Sequence, residues 1–158
     1  MALALSLLHT TAACESAAVP EPSPAPAPAL RSTVSECEPG PSPLRTAHDS
    51  EARALTHIGH YPFSPSDGLL ALDLLSASQR CFAAAGQPLD AARVAERLAR
   101  WQRTLDTDYR GHQVRLQHAL RTQRTADALA ESRALLAMLA TRDGAYTAWL
   151  RHIEQAEP

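Results

Sequence analysis

From residue 44 onward the apolar positions recur at intervals of three and four, and polar start and stop signals divide the pattern into helices. Thr46-Ala47-His48-Asp49 resembles a capping box, Ala52, Leu55 and Ile58 give a small apolar stripe, and Gly59 is placed to close a short first helix. Ser64-Pro65-Ser66-Asp67 offers a cap, a proline for the first turn and an acid for the helix dipole. Leu70, Leu74, Ala77, Cys81 and Ala85 follow, up to Gly86. Pro88 and Asp90 repeat the start signal. The seam Ala91, Ala95, Leu98, Gln102, Leu105, Tyr109, His112, Leu116 and Ala119 then passes through Gly111 without losing register. That continuity predicts one helix of about 32 residues, about 48 Å long. After Thr125, Leu129, Ser132, Leu136 and Leu139 make a fourth stripe, and beyond Gly144 the positions Tyr146, Trp149, Leu150 and Ile153 make a short terminal one. The expectation is an all-α domain of about five helices spanning 44–158.

Composition sharpens this reading. Only 4% of the chain is aromatic while 45% is hydrophobic, so the core has to be built from Leu and Ala, which suits closely packed helices better than a sandwich of strands. All 15 basic residues are Arg. Residues 14–43 carry a net charge of −3 and residues 44–158 a net charge of +1, and a near-neutral domain argues against nucleic acid as a partner, because phosphate contacts demand a basic stripe. Residues 15–43 hold eight of the 12 prolines, including Pro24-Ala25-Pro26-Ala27-Pro28. Such a stretch favours extended polyproline II, so 14–43 is expected to be a disordered, semi-stiff tether reaching on the order of 90 Å.

The segment before the tether carries the signal for location. An apolar run from Ala2 to Leu8 leads into Thr11-Ala12-Ala13-Cys14, and this resembles the lipobox of bacterial lipoproteins. The resemblance implies that 1–13 is a signal-peptide-like segment, that Cys14 is lipidated, and that the protein is held in the cell envelope by lipid alone, facing the periplasm or exterior. Cleavage after Ala18, with Ser16 and Ala18 as the small residues, would instead release a secreted protein, and an unprocessed Cys14 would leave the chain in the cytoplasm. With Cys14 assigned to lipid, Cys37 and Cys81 remain as a disulfide pair in an oxidising compartment. The alternative is two independent thiols, with Cys81 a small buried hydrophobe.

Two stretches can be overlaid: 51–86, with Gly59-His60-Tyr61 at its turn and Ala71 early in its second helix, and 112–144, with Gln123-Arg124 and Ala128 in the corresponding places. Each resembles a degenerate tetratricopeptide unit, which implies antiparallel helical hairpins flanking or sharing the long central helix, and a role in binding.

The chemistry-bearing residues do not form a catalytic pattern. His57 and His60 are three apart, with His48 nearby, but no third ligand has a fixed spacing, so no metal or other cofactor is expected. His112 lies on the seam and reads as a hydrogen-bonded core histidine. Asp106 and Asp108 point in different directions, Asp67 and Asp90 serve as helix starts, and there is no phosphate loop, nucleophile elbow or Cys-x-x-Cys. The chain is therefore read as noncatalytic. Arg93, Arg97, Arg100 and Arg103 run along the third helix away from its seam with Trp101 among them, either as a solvated face or as a docking face for an acidic partner or lipid head groups. Arg97, Arg100 and Trp101 are the candidate partner-binding residues. The expected function is an envelope scaffold or adaptor for unknown envelope proteins; the alternative, a periplasmic helical sensor or ligand-binding domain, requires a closed cavity.

Overall fold

The computed structural model describes residues 25–37, 42–140 and 142–155. The expected signal segment 1–13, Cys14 and the tether residues 14–24 and 38–41 lie outside the described residues. Within them the protein is all-α, with five helices: α1 (Pro43–His60), α2 (Asp67–Ala84), α3 (Pro88–Arg121), α4 (Thr125–Leu139) and α5 (Ala145–Gln155). Each helix packs chiefly on the next in sequence, α1 on α2, α2 on α3, α3 on α4 and α4 on α5. Short connections make successive helices antiparallel. At 34 residues α3 is long enough, about 51 Å, to pack on α2 with one part of its length and on α4 with another.

Local chemistry explains the boundaries. α1 begins four residues before the expected Thr46: Ser42 is its N-cap, with Oγ accepting from the Arg45 amide at 3.3 Å, and Pro43 fills the first turn, where no amide donor is needed. It runs through Gly59 to His60. α2 ends at Ala84, and just beyond it Gly86, with a φ of +70°, lets the Gln87 amide turn back to Phe82 O at 2.9 Å. The same bond closes α3, from the Arg124 amide to Ala119 O, but there Gln123 adopts the left-handed φ of 56° without a glycine's freedom.

Burial corrects three of the expected stripes. In α1 the core face is Ala47, Ser50, Glu51 and Ala54, while Leu55 is exposed. The buried carboxylate of Glu51 belongs to the face because two arginines from α3 reach it, and no hydrophobic pattern can register that. In α2 the single stripe from Leu70 to Ala85 gives way to burial on most sides: Ala71, Leu72, Leu74, Leu75, Ser78, Cys81 and Phe82 are all covered, and Leu70 is exposed. In α4 the covered centre is Leu135 rather than Leu136.

The additional cover on α2 comes from the segment expected to be free. Residues 25–37 lie against the domain as an extended strap, with Leu30 1% exposed in the common core. Ser32 Oγ and the Thr33 amide donate to Asp73 Oδ1 at 2.7 and 3.0 Å, Ser76 Oγ donates to Val34 O, and Gln102 Nε2 donates to Leu30 O. Arg142, between α4 and α5, donates to Ala29 O at 2.7 Å and also to Arg31 O. Cys37 is joined to Cys81 by a disulfide, with the Cα atoms 4.8 Å apart. A prolyl segment cannot supply a full ladder of amide donors, but its carbonyls can still be satisfied one at a time by side chains, and one leucine gives it an apolar anchor.

Candidate docking surface on helix α3

The structure separates the three candidate binding residues. Trp101 is buried, 8% exposed, because the register of α3 turns it toward the start of α2. Its Nε1–H donates to Gly68 O at 3.0 Å, and its ring meets Tyr61 edge-on at 5.1 Å. Gly68 permits that approach: a Cβ there would stand 2.6 Å from Leu105 Cδ2 and 2.8 Å from the Tyr61 ring. Trp101 is a packing residue and is removed from the docking face. Both Arg97 and Arg93 are turned sideways onto Glu51, Arg93 also through Nη2 to Oε2 at 2.8 Å. The hydrogen bond from Arg93 comes first among the influences that hold the Glu51 carboxyl below its ordinary 4.5; burial opposes it. This clamp ties α1 to α3, so Arg97 is already engaged.

Arg100 remains exposed, and it is joined by Arg103, expected on the same run, and by Arg110 and Arg121, which the sequence did not single out. Arg100, Arg103, Arg110 and Arg121 lie on the side of α3 opposite its buried residues, and all four are exposed. Among the described residues none of them forms an ion pair, in contrast to Arg93, Arg97 and Arg115. From Arg100 to Arg121 the stripe covers about 32 Å of helix. An open groove of about 450 Å³ lies beside its first part, lined by Arg100, Arg103, Thr104, Thr107 and Asp108. The two threonine hydroxyls donate to Arg100 O and Arg103 O one turn back, so their oxygens remain available as acceptors. Beside the groove, burial and then the Asp108 carboxylate push the Tyr61 phenol above its ordinary value and keep it neutral. The arrangement offers fixed positive charge on a rigid rod.

The other candidates are taken up by structural contacts. His57 and His60 turn toward Asp67, at 3.1 and 3.8 Å, whereas His48 packs edge-on against Phe82. Among the described residues no three His, Cys, Asp or Glu side chains converge as metal ligands would. His112 is partly buried, with Nδ1 2.6 Å from Glu131 Oε2, and Arg115 Nε donates to the other oxygen at 2.7 Å. Burial alone would raise Glu131, but the hydrogen bonds from Arg115 and His112 outweigh it and leave the carboxyl lowered. Asp106 accepts from Gln102 at 3.0 Å, on a different side of the helix from Asp108. Tyr146 is buried and Trp149 partly so, their rings 5.6 Å apart. Among the described residues no helix is long and apolar enough to cross a membrane. Compared with known proteins, the chain matches no family model, no curated protein and no solved structure.

Proposed function

We propose that this chain is a noncatalytic lipoprotein of the bacterial cell envelope, anchored through Cys14, that serves as a scaffold or adaptor and docks an acidic protein surface along α3. The observation that carries the reading is the exposed stripe Arg100, Arg103, Arg110 and Arg121, four guanidinium groups without a carboxylate partner among the described residues. Arg93, Arg97, Arg115, Arg124, Arg133 and Arg151 each hold a carboxylate, so four arginines without one along a single helix face are a charge pattern awaiting its complement. The groove beside them is open, a form suited to a macromolecular surface more than to an enclosed small ligand.

Three features support the anchored setting. The Cys37–Cys81 bridge suits an oxidising compartment. Pairs of antiparallel helices packed in sequence suit tetratricopeptide-like hairpins, a common binding architecture. The strap also shortens any tether: ten residues separate Cys14 from Ala25, and the eleven steps between them span at most about 40 Å. The domain of an anchored protein would therefore work close to the membrane surface, where envelope assemblies are found.

The test is a photo-crosslinking residue at Thr107, activated in intact cells. A defined protein adduct is expected, lost in an Arg100→Glu/Arg103→Glu variant and retained in Arg45→Glu, which reverses an exposed arginine on α1. An adduct indifferent to the α3 reversals, or no protein adduct beside charge-dependent binding to anionic vesicles, would remove the docking assignment.

A further inference from the structure

We infer that residues 25–37 are an exchangeable strap, and that the groove holding them can take the same segment from a second copy of this chain, so that two copies trade straps and close their Cys37–Cys81 bridges reciprocally. The strap's contacts are those of a ligand in a receptor. Its hydrogen-bond and disulfide partners include Asp73, Ser76 and Cys81 of α2, Gln102 of α3, and Arg142. No hydrogen bond or bridge among these goes to α1, the helix that the strap precedes in the chain. Moving the strap to a neighbour while α1 stays in place would therefore preserve every one of them, with Leu30 filling the neighbour's pocket instead of its own.

The covalent connection fixes how such a pair would face. Five residues lead from Cys37 to Ser42, the N-cap of α1, and span at most about 18 Å. In an exchanged pair, the start of α1 in one copy must lie within that distance of its own Cys37, which is bridged to Cys81 of the other with the Cα atoms 4.8 Å apart, so the copies meet through the end of the bundle that carries the start of α1 and the end of α2. The start of α3 lies at the same end. It is also where Leu44, at 38% exposure, and Leu89, at 86%, stand open to solvent. A pair built this way covers apolar side chains that the single copy leaves wet, which gives the exchanged state something the closed monomer lacks.

The bridge acts as the lock. A dithiol opens it by thiolate attack on one sulfur, leaving two cysteine thiols and the dithiol in its disulfide form. Closure between copies runs the same exchange backward and regenerates the dithiol. Closure within one chain has the advantage of an effective concentration on the order of millimolar, so exchange competes only where copies are crowded to that order. The inference does not rest on lipid anchoring, although confinement to a surface would favour it.

Two full-length chains test it: Cys14→Ser/Cys37→Ser, which supplies the groove cysteine, and Cys14→Ser/Cys81→Ser, which supplies the strap cysteine. Neither can bridge to itself. The two are reduced, mixed near millimolar concentration, returned to a glutathione buffer and examined by non-reducing electrophoresis with peptide mapping. The expected product is a heterodimer bridged from Cys37 to Cys81. Leu30→Asp in the strap-supplying chain should lower its yield at least tenfold, whereas the same change in the groove-supplying chain should raise it by emptying the groove. No heterodimer, or a yield indifferent to Leu30 in both chains, overturns the inference. Should Leu30→Asp unfold the chain by circular dichroism, reoxidation of the Cys14→Ser chain over a concentration series decides: a covalent dimer growing with concentration and mapped to Cys37–Cys81 is expected, and monomer alone up to millimolar overturns it.

Discussion

Leu30→Ala asks whether the proline-rich segment belongs to the folded domain. In the structure the Leu30 side chain is 1% exposed and sits in the same core as Leu72, Leu105 and Leu139. Truncation removes its transfer free energy and leaves a cavity, and for buried leucines the two together cost about 2–5 kcal/mol. For a domain of this size each kcal/mol moves the melting temperature by roughly 3–5 °C, so a fall on the order of 6–25 °C is expected. The assay is thermal unfolding of the oxidised protein followed by circular dichroism, with Leu89→Ala, at a site 86% exposed, as a control that should move Tm little. Hydrogen exchange supplies a local readout. The Thr33 amide, held by Asp73, should be protected in the wild type and lose protection in the variant. If Leu30→Ala melted within about 1 °C of the wild type and Thr33 exchanged freely in both, the segment would be a tether after all, and the reach between Cys14 and the domain would return to the longer value.

Three further outcomes follow from the packing and the charges. Gly68→Ala places a methyl group where only 2.6 Å separates it from Leu105 Cδ2, and overpacking of that kind should destabilise by about 1–3 kcal/mol, read as a lower denaturation midpoint in urea. The Glu51 carboxyl is held below 4.5, so its contribution to stability is complete above its unfolded pKa and is lost as pH falls through the lower folded value; Glu51→Gln should lower Tm at pH 7 and flatten the dependence of Tm on pH below about 4.5. Arg100→Glu/Arg103→Glu should leave the melting temperature nearly unchanged, because surface substitutions of this kind usually stay within about 0.5 kcal/mol each, while abolishing the crosslink from position 107.

The elements of this fold were legible because periodicity, caps and glycines agree along the chain. Gly86 ends α2 with the positive φ that its position suggests, and the seam through Gly111 is one continuous helix. What was not legible had three physical causes. A hydrophobic pattern does not count a buried carboxylate, so Glu51 hid the true face of α1 until Arg93 and Arg97 were seen to satisfy it. Proline-rich composition reports what a segment can do alone, and the strap is ordered by side chains of residues up to 113 positions away in sequence. The arginines Arg93, Arg97, Arg100 and Arg103 have the same composition but different partners: the first two lie toward α1 and the others toward solvent, a difference of helical angle that becomes meaningful only once the neighbouring helix is placed. Trp101 shows the same limit, since its burial depends on a glycine 33 residues earlier.

The account's central claim is that the domain is held at a membrane through Cys14, and radiolabelled palmitate incorporation with membrane fractionation tests it most directly. In cells expressing the wild type, the protein should carry label and sediment with membranes, and Cys14→Ser should do neither. A wild-type protein made at normal level without label, or label that persists in Cys14→Ser, would contradict the claim and with it the proposed place of the protein in the envelope.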